Sequence, residues 1–281
     1  MVTDTINTYA AARSDYSEVY LLREQLKSFL DFIFSRGIRK EWLEIVYHDP
    51  VPGKEVEFVK KWKFPWREDQ QEWLEYMDGG KDTPFRMSLN TAGTGSGKTA
   101  MSQEITFRRG VRTGIILSPR YMPGWRSSLL SFFGMEPGDV IEIRGTAQSD
   151  PPHPDIPRYS MLEFQTLVEQ GELDFKIALF SLNMFQRYIT DYEKNNCVAP
   201  YVFHPVEFWE KTGIGLLIHD ECHEALHFLF KVKCYANIPE IIYLSATAVS
   251  DDPFIERMLY LMYPKEARYA KCEYKKYIAV N

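Results

Sequence analysis

The stretch NTAGTGSGKTAMS, Asn90 to Ser102, decides the fold. It follows the phosphate-loop pattern G-x-x-x-x-G-K-[ST] except at its first position, where Ala92 stands in place of glycine. The pattern carries weight only between a strand and a helix. Residues 85–90, after Pro84, predict a short strand. Thr99 to Arg109 predicts a helix stopped by Gly110, with Ala100, Met101, Ile105 and the Arg108 stem on one side. In between, Gly93-Thr94-Gly95-Ser96-Gly97 is a loop whose glycines let backbone N–H groups turn toward an anion. The helix N-terminus adds its partial positive charge. Lys98 is placed to reach the β- and γ-phosphates of a nucleotide, and the Thr99 hydroxyl to hold Mg²⁺.

From residue 64 onward the chain alternates. Apolar runs at 85–90, 114–118, 139–143, 176–181, 214–219 and 240–244 predict strands, and helix-like stretches separate most of them. One such helix opens at Ser160 with a Ser-x-x-Glu capping box completed by Glu163, and stops at Gly171. This alternation predicts an α/β domain: a mostly parallel sheet with helices on both faces, binding ligands at the carboxyl ends of its strands. The proline-rich stretch GTAQSDPPHPDIPRY, 145–159, predicts a surface loop, and there is no internal repeat.

A second stretch, GLLIHDECHEA at 215–225, brings acids to the end of a strand. Burying unpaired carboxylates there is costly, so a functional role is the better reading. Asp220 is suited to Mg²⁺, and Glu221 to orienting and deprotonating a water aimed at the γ-phosphate. His219, His223 and His227 recur every four residues, which on one helix would suggest zinc. His219 belongs to the strand, however, so His223 reads better as a hydrogen-bonding relay beside the γ-phosphate and His227 as a packing or surface residue.

Ahead of this domain, Ser17 to Gly37 predicts an amphipathic helix through Val19, Leu22, Leu26, Phe29 and Ile33. WLEIVYH (42–48) and VEFVKKWKF (56–64) predict two strands around the turn DPVPGKE. Residues 1–63 are therefore expected to form a small helix-and-hairpin accessory unit, or else a decoration packed on the main domain, residues 64–281. Residues 1–16 are polar.

Composition narrows the function classes. With 45% hydrophobic residues the chain can build a sizeable core. No apolar run approaches the roughly 20 residues of a membrane span, and the N-terminus has no apolar signal-peptide core, so no membrane partner is expected; the expected setting is cytoplasmic, or the nucleoid or host-cell interior if the protein is viral. Cys197, Cys222, Cys234 and Cys272 lack metal-site spacing and read as reduced thiols. A net charge of −6 excludes a generally basic coat for nucleic acid and leaves room for a local track.

AGTGSGKT, DECH and SAT (245–247), in this order and at these separations, resemble the first motor domain of the superfamily 2 helicases and translocases, a RecA-like fold. DECH matches the family's D-E-x-H form, and Ala92 is a common loop opener there. More narrowly, the chain resembles phage or large-virus helicases carrying a small N-terminal extension. The resemblance covers residues 64 to about 275. It implies an ATP- and Mg²⁺-dependent ATPase that acts on DNA or RNA. WREDQ resembles the upstream segment whose Arg-x-x-Gln reads adenine, which points to Arg67 and Gln70. ILSPRYMPGW and ALFSLNMFQ resemble segments that touch the nucleic-acid backbone, which points to Pro119, Arg120, Ser181 and Asn183. Another possible track is the accessory unit, with Lys60, Lys61 and Lys63. Ser245 and Thr247 would couple nucleotide state to the nucleic-acid track.

Too little chain follows Thr247 for a second motor domain of about 100–150 residues. The family's later arginine-rich motif does not occur. The expectation is half of a two-lobed motor, or a single-domain protein whose partner supplies the second RecA-like domain and an arginine finger worth about 10³–10⁵ in turnover. The rival readings are a restriction-type translocase, a terminase-type ATPase subunit and a non-catalytic nucleotide-binding module. Intact Lys98, Asp220 and Glu221 speak against the last.

Overall fold

The computed structural model describes residues 11–12, 18–22, 25–59, 65–79, 86–145, 154–195, 201–246, 253–263 and 268–269. Its centre is an eight-stranded sheet in which every described pair is parallel. The strands are β3 (Arg86–Asn90), β4 (Thr113–Leu117), β5 (Val140–Ile143), β6 (Arg158–Tyr159), β7 (Ile177–Ser181), β8 (Leu216–His219), β9 (Glu240–Leu244) and β10 (Arg268–Tyr269), in the order β10-β3-β9-β8-β4-β7-β5-β6. The remaining pair, β1 (Ala11–Ala12) and β2 (Val19–Tyr20), is antiparallel and separate.

Strands β4, β5, β7, β8 and β9 are buried at every position, as a parallel sheet covered on both faces requires. Alternate side chains therefore feed two cores. On one face Ile115, Leu117, Ile218 and Ile242 pack with α2 (Glu68–Asp78) through Trp73 and Leu74, α3 (Lys98–Arg109) through Met101 and Ile105, and α4 (Met122–Ser127) through Met122 and Trp125. On the other, Ile116, Phe180, Leu217 and Ile241 meet α5 (Met161–Glu169), α6 (Leu182–Asn195), α7 (Phe208–Thr212), α8 (Leu226–Tyr235) and α9 (Pro253–Met262). This is the expected α/β architecture. The short edge strands β6 and β10 add to it, β6 lying at the end of the stretch expected to be a surface loop.

Local signals act where the sequence places them. Ser160 caps α5: its hydroxyl accepts from Glu163 N at 3.2 Å while Ser160 N donates to Glu163 Oε2 at 2.7 Å. Such a cap contributes about 1 kcal/mol. Gly110 ends α3 with φ of 61°.

The N-terminal expectations need correction. The helix is shorter than Ser17–Gly37: α1 spans Leu26–Ser35 and buries none of its residues, while Val19–Tyr20 is strand. No hairpin forms among the described residues of 42–64; residues 60–64 lie outside them. Lys40–Trp42 is a turn of 3-10 helix. The segment with Pro50 and Pro52 instead runs along the main domain. Lys54 N donates to Gly213 O at 2.7 Å, Arg112 N to Lys54 O at 2.9 Å and Val56 N to Gly110 O at 2.8 Å. Gly53 allows this approach, since a β-carbon there would lie 2.4 Å from Gly215 Cα. Backbone groups that a hairpin would have paired with each other are satisfied by the loops of the larger sheet.

Candidate nucleotide site

Because the sheet is parallel, β3, β9, β8, β4 and β7 deliver the residues after them to one rim. The loop 91–97 leaves β3, Ser245 follows β9, Asp220–Glu221 follow β8, Pro119–Arg120 come shortly after β4, and Ser181 ends β7. Sequence-predicted residues between positions 91 and 245 are thereby gathered along five adjacent strand ends.

The glycine loop opens on buried Ala92, whose N–H donates to the side-chain oxygen of buried Asn90 at 2.9 Å. Gly93, Thr94 and Gly95 are exposed, while Ser96 is buried. Gly95 and Gly97 hold φ of 80° and 91°, and nothing lies within 4 Å of where a β-carbon would sit on Gly93 or Gly95. Lys98 Nζ curls over the loop and donates to Ala92 O at 2.7 Å and Gly93 O at 3.2 Å. Thr99 stands in the first turn of α3, and its carbonyl accepts from Ser102.

From the other side, α2 props the loop. Arg67 Nη2 and Gln70 Nε2 both donate to Ser96 O, at 2.6 and 2.9 Å. Gln70 Oε1 accepts from Arg67 N at 3.1 Å, and Arg67 is paired with Asp69. Gln70 is buried, so the two residues expected to read adenine also brace the phosphate loop.

Asp220 and Glu221 turn sharply off β8. Asp220 N donates to Ile116 O of neighbouring β4. Asp220 Oδ2 accepts from Trp125 Nε1 at 2.6 Å and Oδ1 from Glu221 N at 3.1 Å. Burial pushes the Asp220 carboxyl above its ordinary value, and the Trp125 hydrogen bond and the nearby Lys98 charge pull the other way. Glu221 has φ of 48° and ψ of 50°, and among the described residues it alone, apart from glycines, has positive φ. Its Oε2 lies 3.3 Å from His223 Nδ1, which is 3.0 Å from the hydroxyl of buried Ser245. Ser245 N in turn donates to Asn90 O, tying β9 to the phosphate-loop strand. His223 therefore bridges Glu221 and Ser245. Thr247 lies outside the described residues, as do Lys60, Lys61 and Lys63.

His219 is buried on β8 and stacks on Tyr243, ring centroids 4.9 Å apart. Among the described residues no cluster of three or more His, Cys, Asp or Glu could hold a metal ion, which removes the zinc reading. One carboxylate and one hydroxyl, both hard oxygen donors, do fit Mg²⁺ shared with phosphates. Cys222 is packed inside, with burial raising its thiol to about 12.

On the candidate nucleic-acid rim, Arg120 is exposed but pairs with Glu224, to which Tyr121 Oη also donates at 3.3 Å. Ser181 is buried, and Asn183 is exposed on the first turn of α6. The sequence reading missed Asn90 and Trp125. Asn90 could have been found as a polar residue ending an apolar strand, whereas nothing local marks Trp125.

No protein-family model matches the chain, and no curated protein does. Among solved structures, the UvsW helicase from bacteriophage T4 is similar at a TM-score of 0.50 and 11% identity, covering 88% of this chain and 79% of that one. A hypothetical ATP-dependent RNA helicase from Sulfolobus tokodaii matches at a TM-score of 0.48 and 13% identity, over 75% of this chain and 54% of its own. The Pyrococcus furiosus Hef helicase domain matches at 0.44 and 16%, over 70% and 35%. At these identities the likeness to UvsW is one of fold: the chain has the RecA-like α/β fold of that helicase.

Proposed function

We propose that this chain is the ATP-binding motor domain of a nucleic-acid-dependent ATPase of the D-E-x-H helicase or translocase type, hydrolysing ATP with Mg²⁺ when a second RecA-like domain closes over the site. The observation that carries this reading is the convergence at one sheet rim of the loop 93–99, which leaves β3, and the Asp220–Glu221 turn, which leaves β8.

In this reading the loop N–H groups, the α3 N-terminus and Lys98 bind the phosphates, while Arg67 and Gln70 take the adenine end. Thr99 and Asp220 would hold Mg²⁺, which when bound neutralises charge on the β- and γ-phosphates. Glu221 Oε2 accepts a proton from the attacking water, and His223 orients that carboxylate and reports its state to Ser245. Pro119, Arg120 and Asn183 face the nucleic-acid backbone along the same rim, whereas Ser181 is buried at the end of β7 and would only support it from behind. The partners are DNA or RNA and the second motor domain. Among the described residues no helix is long and apolar enough to cross a membrane.

The test is binding of a fluorescent ATP analogue with Mg²⁺. Lys98→Ala is expected to abolish it, and affinity equal to the parent's would overturn the phosphate-loop assignment.

A further inference from the structure

We infer that Trp125 is a positioning residue for metal binding, its indole N–H fixing the Asp220 carboxylate in the orientation that holds Mg²⁺; this rests on the nucleotide-site reading above. Trp125 comes from α4, well away from the acidic turn in sequence, yet its Nε1 reaches Asp220 Oδ2 at 2.6 Å. The pairing is not forced by burial, since the Nε1 of fully buried Trp73 has no hydrogen-bond partner among the described residues, and a carbonyl would have served Trp125 equally well. Here the partner is the acid assigned to the metal.

The arrangement suits the task in three ways. Each carboxylate oxygen receives one N–H, from Trp125 and from Glu221, so the plane is fixed while lone pairs remain on both. Indole is neutral, so it orients the carboxylate without a cation competing for the charge that Mg²⁺ requires. A lysine or arginine at 125 would supply that competing charge. The donor is also rigid. Trp125 is 2% exposed, Met122 and Leu129 beside it are fully buried, and Arg126 anchors the same helix to buried Glu142 at 2.7 Å. Partners that hold metal ligands from behind typically matter 10–100-fold for metal affinity.

The segment that carries Trp125 begins at Pro119 and touches the acidic loop twice: at Asp220 through Trp125 and at Glu224 through Arg120 and Tyr121. Trp125 therefore also joins the candidate nucleic-acid rim to the metal ligand.

The experiment uses the whole chain and a fluorescent ATP analogue, titrated first in chelator and then with Mg²⁺. Trp125→Phe should leave the metal-free affinity unchanged and raise the half-saturating Mg²⁺ concentration by about 10–100-fold. An unchanged Mg²⁺ requirement overturns the inference, as does an equal loss of metal-free and metal-bound affinity, which marks a packing residue. If the parent itself binds no nucleotide, the functional reading fails and this inference with it; if the parent binds and the variant matches it, only this inference fails. Should Trp125→Phe not fold, benzothienylalanine at 125 keeps the ring system and lacks the N–H, and the same outcomes apply.

Discussion

Gly97→Ala tests how α2 braces the phosphate loop. Gly97 has φ of 91°, and a β-carbon there would lie 2.5 Å from Gln70 Nε2. An L-residue in that left-handed conformation costs about 1–2 kcal/mol. Gln70 must also move, because it is buried and pinned by its bonds to Ser96 O and from Arg67 N. Losing those two bonds costs about 1 kcal/mol each, so the single variant should lose about 3–4 kcal/mol. Gln70→Ala alone should lose about 2 kcal/mol, from the same two bonds. In the double variant the bonds are lost only once. Its total should then fall about 2 kcal/mol short of the sum, against the few tenths shown by independent sites. Urea unfolding of the four proteins reads this directly. Additivity within about 0.5 kcal/mol would mean that Gln70 swings aside freely and braces nothing. The same Gln70→Ala protein tests adenine recognition: any preference for ATP over GTP should narrow in competition binding, and an unchanged preference refutes the assignment.

Glu221→Gln should keep ATP binding and stop hydrolysis in the assembled motor, because the carboxylate acts on water; lost binding with residual turnover would remove it as the base. Burial lowers His219 from 6.5 to about 3, so the folded state leaves it neutral where the unfolded chain takes up a proton. Its contribution is complete above pH 6.5 and is lost as pH falls toward 3. His219→Phe keeps the stack on Tyr243 and should remove about 2 kcal/mol of the stability difference between pH 7 and pH 5, read from urea midpoints; an unchanged difference refutes it. Arg120→Ala should weaken single strands equally across sequences and flatten the salt slope by about one, whereas Glu224→Gln, which frees Arg120, should tighten binding. Anisotropy across salt concentrations reads both, and slopes identical to the parent's move the track elsewhere.

The parts legible in the sequence were those set by local rules. Strand burial, the glycine loop, the Ser160–Glu163 cap and the Gly110 stop each depend on a few consecutive residues, and each lies where the pattern put it. The expected hairpin at 42–64 failed because alternation says that a segment is extended, not what it pairs with. There the partners are Gly110, Arg112 and Gly213 of the main domain. Trp125 was hidden for the same reason: its role depends on the crossover that lays α4 against the end of β8, and the segment ILSPRYMPGW that contains it pointed to nucleic acid, not to the acid at 220. Gln70 shows a middle case, since the motif located it but not its hold on Ser96 O.

At two adjacent residues, Asp220 and Glu221, the chain departs from what folding alone would favour. At position 221 the backbone is left-handed, which glycine or asparagine would adopt at lower cost than glutamate. At 220 a half-buried carboxylate loses enough hydration to raise its pKa, so its charged form opposes folding near neutral pH. Folded Asp220 binds its proton more tightly than the unfolded chain does, so stability declines as pH rises through its raised pKa, and a neutral residue would avoid this. Glu221 N bonds to Asp220 Oδ1, so the strained turn itself aims the half-buried acid. Two adjacent residues thus each carry a cost, and the geometry of one depends on that of the other. Both sit on the rim that also receives the glycine loop and Lys98. Costs gathered at one strand end, beside groups suited to phosphate and Mg²⁺, have their natural compensation in a bound nucleotide, which would turn the Asp220 charge from a liability into a contact.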